Sequence, residues 1–158
     1  MEVRFSKENE ADQIARIYCE SWKFGYKGIV PDDYLDSLTI ENCKPKRLAN
    51  HLVILDGLVC VGICSISQGR DNDLHDYGEI CSIYLLPDYF GRGYGKPLFE
   101  KAVKELNHMG LSRQYLWVLT ENARARKFYE KNGFHVNGET RNITVSDKPL
   151  QETKYVNY

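Results

Sequence analysis

The chain has 158 residues, of which 42% are hydrophobic and 27% are charged, and its formal net charge is −1. This composition excludes a disordered or fibrous protein, and the length suits one compact domain spanning residues 1–158. The near-neutral charge lacks the basic excess of a broad nucleic-acid surface or a polybasic membrane anchor, so we expect neither kind of partner.

The N-terminal third predicts one strand followed by helices. Residues 2–6 read as a short strand, and Ser6 is placed to cap a helix over residues 7–22 whose apolar side chains recur every three or four positions. Turn residues then lead to short helices at 33–38 and 40–50, and a proline limits the regularity of the second one. The start has no apolar segment of a secretory signal, so we expect a cytoplasmic protein.

The middle of the chain predicts a hairpin and a third apolar strand. Residues 51–55 and 58–67 are two apolar runs, and Asp56 and Gly57 between them form a preferred two-residue turn. The same interruption makes this region too broken to cross a bilayer. A polar stretch follows, and the apolar strand at 79–86 comes next.

The stretch after this strand reads PDYFGRGYGKPL and contains glycines at 91, 93 and 95. Glycines between an apolar strand and a helix, here predicted over residues 97–110, are typical of an anion site made by main-chain N–H groups and the helix dipole. Pro97 fits the first helical turn, where its missing N–H has no consequence. The alternative is a glycine-rich turn without a ligand.

Two familiar phosphate motifs fail on residue identity. A Walker P-loop ending at Lys96 requires glycine at 90 and serine or threonine at 97, but the chain has Phe90 and Pro97 there. A dinucleotide-binding G-x-G-x-x-G requires glycine at 96 or 98, which are Lys96 and Leu98. If the segment binds an anion, its motif is therefore of another kind.

The C-terminal third predicts a strand at 112–120, a helix at 121–133 and two terminal strands at 134–140 and 152–158. The state of residues 142–147 stays open. Strands joined by helices in the neighbourhood of the glycines indicate a single α/β domain.

Cysteine spacing indicates neither a disulfide framework nor a metal site. The five cysteines include no C-x-x-C, and Cys60 and Cys64 would lie about 13 Å apart on one strand. The four histidines are scattered. We therefore expect reduced thiols in the cytoplasm and no metal.

Two blocks of the chain resemble the GNAT superfamily of N-acetyltransferases. Residues 79–103 resemble its acetyl-CoA-binding motif, in which an apolar strand and a proline precede Gln/Arg-x-x-Gly-x-Gly/Ala at the start of a helix. Residues 116–134 resemble its second block, with an Asn, an Ala, a Tyr seven residues after the Asn, and a Gly-Phe pair. Residues 20–38 look like the opening helices of a bacterial branch whose substrates are mostly unassigned.

The resemblance implies a GNAT-type fold and activity. The fold is a mixed, mostly antiparallel sheet with flanking helices and a splayed central strand pair. The activity is transfer of an acetyl group from acetyl-CoA to a primary amine by direct attack on the thioester, without a metal. The acceptor is either a small-molecule amine or a protein amino group, and a homodimer is possible. The alternative is a non-catalytic CoA-binding sensor or regulatory module.

The resemblance also implies the residues that bind the donor. The pyrophosphate is expected at the main chain of Gly91, Arg92, Gly93, Tyr94, Gly95 and Lys96. The pantetheine arm is expected at main-chain groups of Ile83, Tyr84 and Leu85 and at Asn122 and Ala125, although Asn122 alternatively only caps its helix. Phe90 departs from the family's Gln or Arg, and Arg92 and Lys96 are expected to supply charge instead.

The resemblance implies the catalytic residues and the residues of the acceptor site as well. Tyr129 matches the family's general acid, and a phenol with a pKa near 10 suits protonation of a thiolate. Glu79 matches the catalytic glutamate of one branch, where burial beside a cleft would raise its pKa; the alternatives are a solvated glutamate or a water chain as base. Trp22, Tyr26 and Tyr34 are candidates for the acceptor wall, with ordinary packing as the alternative.

Overall fold

The computed structural model describes residues 1–158. Its strands are β1 (Glu2–Phe5), β2 (His51–Asp56), β3 (Val59–Gln68), β4 (Gly78–Leu85), β5 (Gln114–Leu119), β6 (His135–Val145) and β7 (Lys148–Val156). Its helices are α1 (Ala11–Gly25), α2 (Asp32–Asp36), α3 (Ile40–Cys43), α4 (Gly95–His108) and α5 (Ala123–Lys131). The strands form one sheet in the order β1-β2-β3-β4-β5-β7-β6, in which only the β4–β5 pair is parallel. The predicted mixed, mostly antiparallel sheet is confirmed.

The central strands β4 and β5 separate, as predicted. They pair at only two positions, Gly78 with Gln114 and Glu79 with Tyr115. Just beyond this point the register of β4 against β3 shifts, so that Cys81 has no partner on β3. Such a bulge bends a strand and increases its local twist. The bend leaves a gap between the two strands at the centre of the sheet.

Helices α1 and α4 cover opposite faces of the sheet. The Tyr18 hydroxyl of α1 lies 3.0 Å from Ser82 Oγ, and its ring packs on Tyr84. On α4, a Cβ at Gly95 would lie 3.8 Å from the Leu85 side chain. Neighbouring side chains of a strand point to opposite faces, so Tyr84 and Leu85 place the two helices on different sides.

The main hydrophobic core lies between the sheet and these helices and contains 23 buried residues. Ile14 and Ile17 of α1 belong to it and are fully buried, which confirms the predicted apolar stripe. A smaller cluster attaches the region of α2 to β5 and β7; its buried members are Val30, Leu35, Leu119 and Leu150. No helix of the structure is long and apolar enough to cross a membrane.

Two predicted helix features are wrong for local reasons. The Ser6 hydroxyl does not cap a helix, because it donates to the Leu48 carbonyl, and α1 begins only after a turn of 3₁₀ helix at Glu8–Glu10. The helix predicted over 40–50 ends at Cys43. The next residue, Lys44, is extended because it precedes a proline, and that position disfavours helical dihedrals.

The hairpin turns also differ in detail from the sequence-based expectation. Asp56 pairs with Val59, so the turn residues are Gly57 and Leu58 rather than Asp56 and Gly57. Glycine with φ +60° at the first central position is typical of a type II′ turn. Residues 142–147, left open by the sequence, extend β6 and form the turn to β7.

Candidate active site

A cavity of about 890 Å³ lies where β4 and β5 separate. Its wall is made by α1, β4, β5, α5, the hairpin of β6 and β7, and residues 91–96, which we call the glycine segment. The predicted site residues found in this wall are Trp22, Tyr26, Glu79, Ile83, Tyr84, Leu85, Gly91, Gly93, Gly95, Lys96, Asn122, Ala125 and Tyr129. Residues that are far apart in the chain thus meet around one space.

Three predicted site residues are not in the cavity wall. The ring of Tyr34 packs near Trp22, with 6.2 Å between ring centroids. The Arg92 guanidinium lies 5.0 Å from the ring centroid of Tyr89, and the buried Tyr94 ring packs against the same tyrosine. Neither Arg92 nor Tyr94 is thus part of the cavity wall, and the supply of charge by Arg92 stays a prediction.

The glycine segment presents unpaired main-chain donors. Gly91 and Gly93 have φ values of +71° and +86°, which other residues rarely adopt. The N–H groups of Gly91, Gly93, Tyr94, Gly95 and Lys96 have no main-chain or side-chain acceptor. They lie at the N-terminus of α4, whose dipole favours negative charge. The segment therefore offers main-chain donors of the kind that suit an anion.

Gly95 has a different role from the two glycines before it. A Cβ at this position would lie 3.1 Å from the ring of Phe128. The missing side chain therefore permits close packing of α4 on α5. Helix α4 begins at this glycine, so Pro97 occupies the first helical turn, as predicted.

Beyond Glu79, the main chain of β4 forms no ladder to β5. The Leu86 N–H donates to the Val61 carbonyl, and hydrogen-bonded residues alternate along an antiparallel ladder. The main chain of Tyr84 therefore bonds to β3, whereas the N–H and C=O groups of Ile83 and the N–H of Leu85 are left without a partner on the β5 side. The Leu85 carbonyl accepts a hydrogen bond from the Ser21 hydroxyl of α1. Of the three residues predicted to offer main-chain groups, Tyr84 contributes its side chain to the cavity instead.

Tyr129 lies in the cavity wall with an unpartnered hydroxyl. Its side chain is buried, and the rings of Phe99 and Phe128 pack against it. None of the hydrogen bonds in the structure involves its hydroxyl, which faces the cavity. Burial, with a smaller contribution from Tyr84, raises the pKa of Tyr129 above its usual value. The phenol is therefore protonated at neutral pH and able to donate.

Asn122 both caps α5 and lines the cavity. Its Oδ1 accepts a hydrogen bond of 3.2 Å from the Ala125 N–H. The side-chain NH₂ makes no hydrogen bond to the protein and is available to the cavity. The two interpretations of Asn122 from the sequence are thus compatible.

Glu79 is held by four hydrogen bonds. The main-chain and side-chain nitrogens of Arg70 donate three of them at 2.7–3.0 Å, and the Tyr115 hydroxyl donates the fourth at 3.1 Å. Burial opposes ionisation, but the contacts with Arg70 outweigh it and hold the pKa of Glu79 below its usual value. The expected raised pKa is wrong, and the side chain is buried rather than solvated.

Aromatic rings form the wall beside α1. Trp22 and Tyr26 pack edge to face with 4.7 Å between centroids, and the hydroxyls of Tyr26 and Tyr84 lie 3.2 Å apart. Burial raises the pKa of Tyr26 to about 12. This wall presents neutral hydroxyls and ring faces to the cavity.

Comparison with known proteins identifies the family. The sequence model of the acetyltransferase (GNAT) family matches residues 11–134, most of the chain. The chain belongs to the GNAT acetyltransferase family. It is an acetyl-CoA-dependent N-acetyltransferase.

Relatives of this GNAT enzyme share most of its length. An uncharacterized N-acetyltransferase of Mycobacterium tuberculosis is 30% identical over 138 residues, covering 82% of this chain and 85% of the relative. A spermidine N(1)-acetyltransferase of Thermoplasma acidophilum is 27% identical over 145 residues, covering 86% and 89%. The crystal structure of the PaiA N-acetyltransferase of T. acidophilum, in complex with coenzyme A, matches with a TM-score of 0.75 at 25% identity and 98% coverage of both chains.

The far end of the cavity in this GNAT enzyme contains charged residues that the sequence did not indicate. Arg141 of β6 pairs with Glu152 of β7 at 2.9 Å and lies 4.3 Å from the ring centroid of Trp117. Arg70 contributes from the loop before β4. Nothing local marks these residues, because only strand pairing brings them to the cavity.

The structure contains no group of three or more His, Cys, Asp or Glu side chains that could hold a metal ion. All five cysteines of the GNAT enzyme are free. Among them, Cys81 borders the cavity at the bulge of β4.

Proposed function

We propose that this GNAT enzyme transfers the acetyl group directly to a primary amine, in the cavity between β4 and β5, with Tyr129 as the general acid. The observation that carries the proposal is the unpartnered Tyr129 hydroxyl in the wall of this cavity. It lies in the same space as the free main chain of β4 and the anion site at α4.

The chain has groups suited to each part of the donor. The free N–H groups between Gly91 and Lys96 suit the pyrophosphate. The main chain of Ile83, the N–H of Leu85 and the amide of Asn122 suit the pantetheine amides. When bound, acetyl-CoA supplies an activated acetyl thioester, and an N–H of β4 aimed into the gap stabilises negative charge on the carbonyl oxygen.

Tyr129 supplies the proton that the departing thiolate requires. Its raised pKa keeps the hydroxyl protonated at neutral pH, and its proton has no acceptor within the protein. The Tyr129 hydroxyl can therefore donate its proton to the sulfur atom as the carbon–sulfur bond breaks.

The acceptor amine has to lose protons. The sequence left two proton acceptors open, the Glu79 carboxylate and a chain of water molecules. The four hydrogen bonds on Glu79 and its lowered pKa argue against a direct role as base. These features support the alternative, in which cavity water accepts the proton. Glu79 then acts as a positioning residue that fixes Arg70 at the wall.

The aromatic wall suits an amine. The rings of Trp22, Tyr26 and Tyr84 offer faces on which a cationic amine is attracted before it loses its proton. The T. acidophilum relative is named a spermidine N(1)-acetyltransferase, which makes polyamines the first acceptors to test. Small-molecule amines and protein amino groups remain the two proposed classes.

Thiol release from acetyl-CoA with a panel of polyamines, amino acids, aminoglycosides and peptides tests the proposal. We expect turnover with at least one amine and a large loss of it in Tyr129→Phe. Calorimetric binding of CoA without turnover across the panel would favour a non-catalytic CoA sensor instead.

We also predict three further properties of the protein. They are a single domain over residues 1–158, a location in the cytoplasm, and a homodimer as a possible assembly. Five free thiols are consistent with a reducing compartment. Light scattering of the purified chain measures its oligomeric state directly.

A further inference from the structure

A guanidinium stacks on the residue that departs from the family motif. The central carbon of the Arg124 guanidinium lies 4.1 Å from the ring centroid of Phe90. One of its nitrogens lies 3.2 Å from where a Cβ of Gly25 would be, so a glycine at this position leaves room for it. Phe24 extends the aromatic surface, with 5.4 Å between the centroids of the two phenylalanine rings.

This contact connects the two sides of the cavity. Phe90 directly precedes the glycine segment on the β4 side, whereas Arg124 lies in the first turn of α5, which follows β5. Both side chains line the cavity. The guanidinium is therefore held on the ring that directly precedes the segment with the free N–H groups, those of Gly91, Gly93, Tyr94, Gly95 and Lys96.

The charge of Arg124 is not compensated within the protein. No carboxylate lies within salt-bridge distance of it, and its side chain makes no hydrogen bond. Other cations of the wall are paired: Arg70 with Glu79, Arg141 with Glu152, and Lys96 with Glu100. Lys127 and Lys131 of α5 are also unpaired but stack on no ring.

We propose that Arg124, oriented by the ring of Phe90, contacts the pyrophosphate of CoA from the side opposite the glycine segment. A guanidinium presents several donors in one plane and binds phosphate oxygens in pairs. Main-chain donors would then contact the pyrophosphate from α4, and a cation would contact it from α5. This proposal rests on the proposed function, because it takes CoA as the ligand.

The geometry accounts for phenylalanine at position 90. A cation at 90 would repel Arg124 at this distance, whereas an aromatic ring attracts it. The positive charge is thus on α5, and position 90 orients it.

Isothermal titration of Arg124→Gln with three ligands tests the assignment. CoA carries both the pyrophosphate and the 3′-phosphate, dephospho-CoA lacks the 3′-phosphate, and pantetheine lacks both. We expect CoA and dephospho-CoA to bind roughly 10-fold to 100-fold more weakly, because a charged hydrogen-bonding partner is lost. The affinity for pantetheine should not change.

Arg113→Gln is the matched control. Arg113 stacks on Tyr77 with 4.2 Å to the ring centroid and lies outside the cavity. We expect its removal to leave all three affinities unchanged. Phe90→Leu should weaken CoA binding by roughly 2-fold to 5-fold in the wild-type background. It should have no effect in the Arg124→Gln background, because its action passes through the guanidinium.

Several outcomes would overturn the inference. The first is unchanged CoA binding in Arg124→Gln. The second is a loss of affinity for CoA but not for dephospho-CoA, which would assign Arg124 to the 3′-phosphate. The third is an equal loss of affinity for pantetheine, which would indicate that Arg124 acts through packing. Failure of the wild-type chain to bind any of the three ligands would instead overturn the proposed function.

Discussion

Arg70 and Glu79 form a two-pronged ion pair at the cavity wall, with Nη2 to Oε1 at 2.7 Å and Nε to Oε2 at 3.0 Å. The glutamate side chain is only 3% exposed, whereas that of the arginine is 61% exposed. The pair therefore leaves the carboxylate buried and compensated, with Arg70 facing solvent.

We predict that Glu79→Gln destabilises the fold by roughly 1–3 kcal/mol at neutral pH, because hydrogen bonds to a charged group are lost. The folded-state pKa of Glu79 is lowered, so its stabilisation is present above the unfolded pKa of about 4.3 and is lost as the pH falls through the folded pKa. Urea unfolding at pH 7 and at decreasing pH should show the two proteins converging in acid. Glu100→Gln, which removes an exposed surface pair, is the control and should change little.

The same Glu79→Gln variant separates the two proposed bases. If water accepts the amine proton, we expect kcat to fall by less than about 10-fold and its pH profile to keep its shape. A general base contributes about 100-fold to 10,000-fold. A loss of that size, with the acid limb of the profile abolished, would restore Glu79 as the base.

Removal of the Tyr129 hydroxyl should affect chemistry and not donor binding. We expect Tyr129→Phe to lower kcat by about 100-fold or more, because the departing thiolate loses its proton donor. The CoA dissociation constant should change less than about 3-fold, since no hydrogen bond to the protein is lost. Tyr77→Phe, on a ring outside the cavity, is the control. Unchanged kcat in Tyr129→Phe would remove its assigned role.

Because Gly93 has a positive φ, its replacement by alanine should weaken CoA binding in addition to straining the backbone. Alanine at φ +86° costs roughly 1–2 kcal/mol, and relief of the strain turns the free N–H groups away from the anion. We expect Gly93→Ala to lower the melting temperature and to weaken CoA binding. Gly110→Ala introduces the same strain at φ +80°, after α4, and should lower only the melting temperature. Equal CoA affinity in both variants would argue against the anion site.

Replacement of Trp22 should weaken binding of the acceptor amine. We expect Trp22→Leu to raise KM for the amine about 5-fold to 10-fold, because an aromatic face is lost, with KM for acetyl-CoA unchanged. Tyr34→Phe is the control and should leave both constants unchanged, because Tyr34 packs near Trp22 but is not in the cavity wall. A rise in KM for both substrates in Trp22→Leu would indicate general damage to the site.

Local rules predicted the elements well and their ends less well. The strand before the glycines, helix α4 and helix α5 follow from apolar periodicity and glycine placement. The Ser6 cap and the hairpin turn were wrong, because a hydrogen bond to Leu48 and the pairing of Asp56 with Val59 compete with the local preference. The Ser6–Leu48 contact joins residues 42 positions apart, which local rules do not cover.

By itself, the sequence determined the order of elements, the glycine segment with its conformational demands, and the spacing of Asn122 and Tyr129. These depend on backbone sterics and helical period, which act over a few residues. The tertiary structure decided which charges reach the cavity. The loop between β3 and β4 brought Arg70 onto Glu79. Arg124 lies on Phe90 because the fold places the start of α5 beside the segment that follows β4, and these two residues have no fixed spacing in the chain.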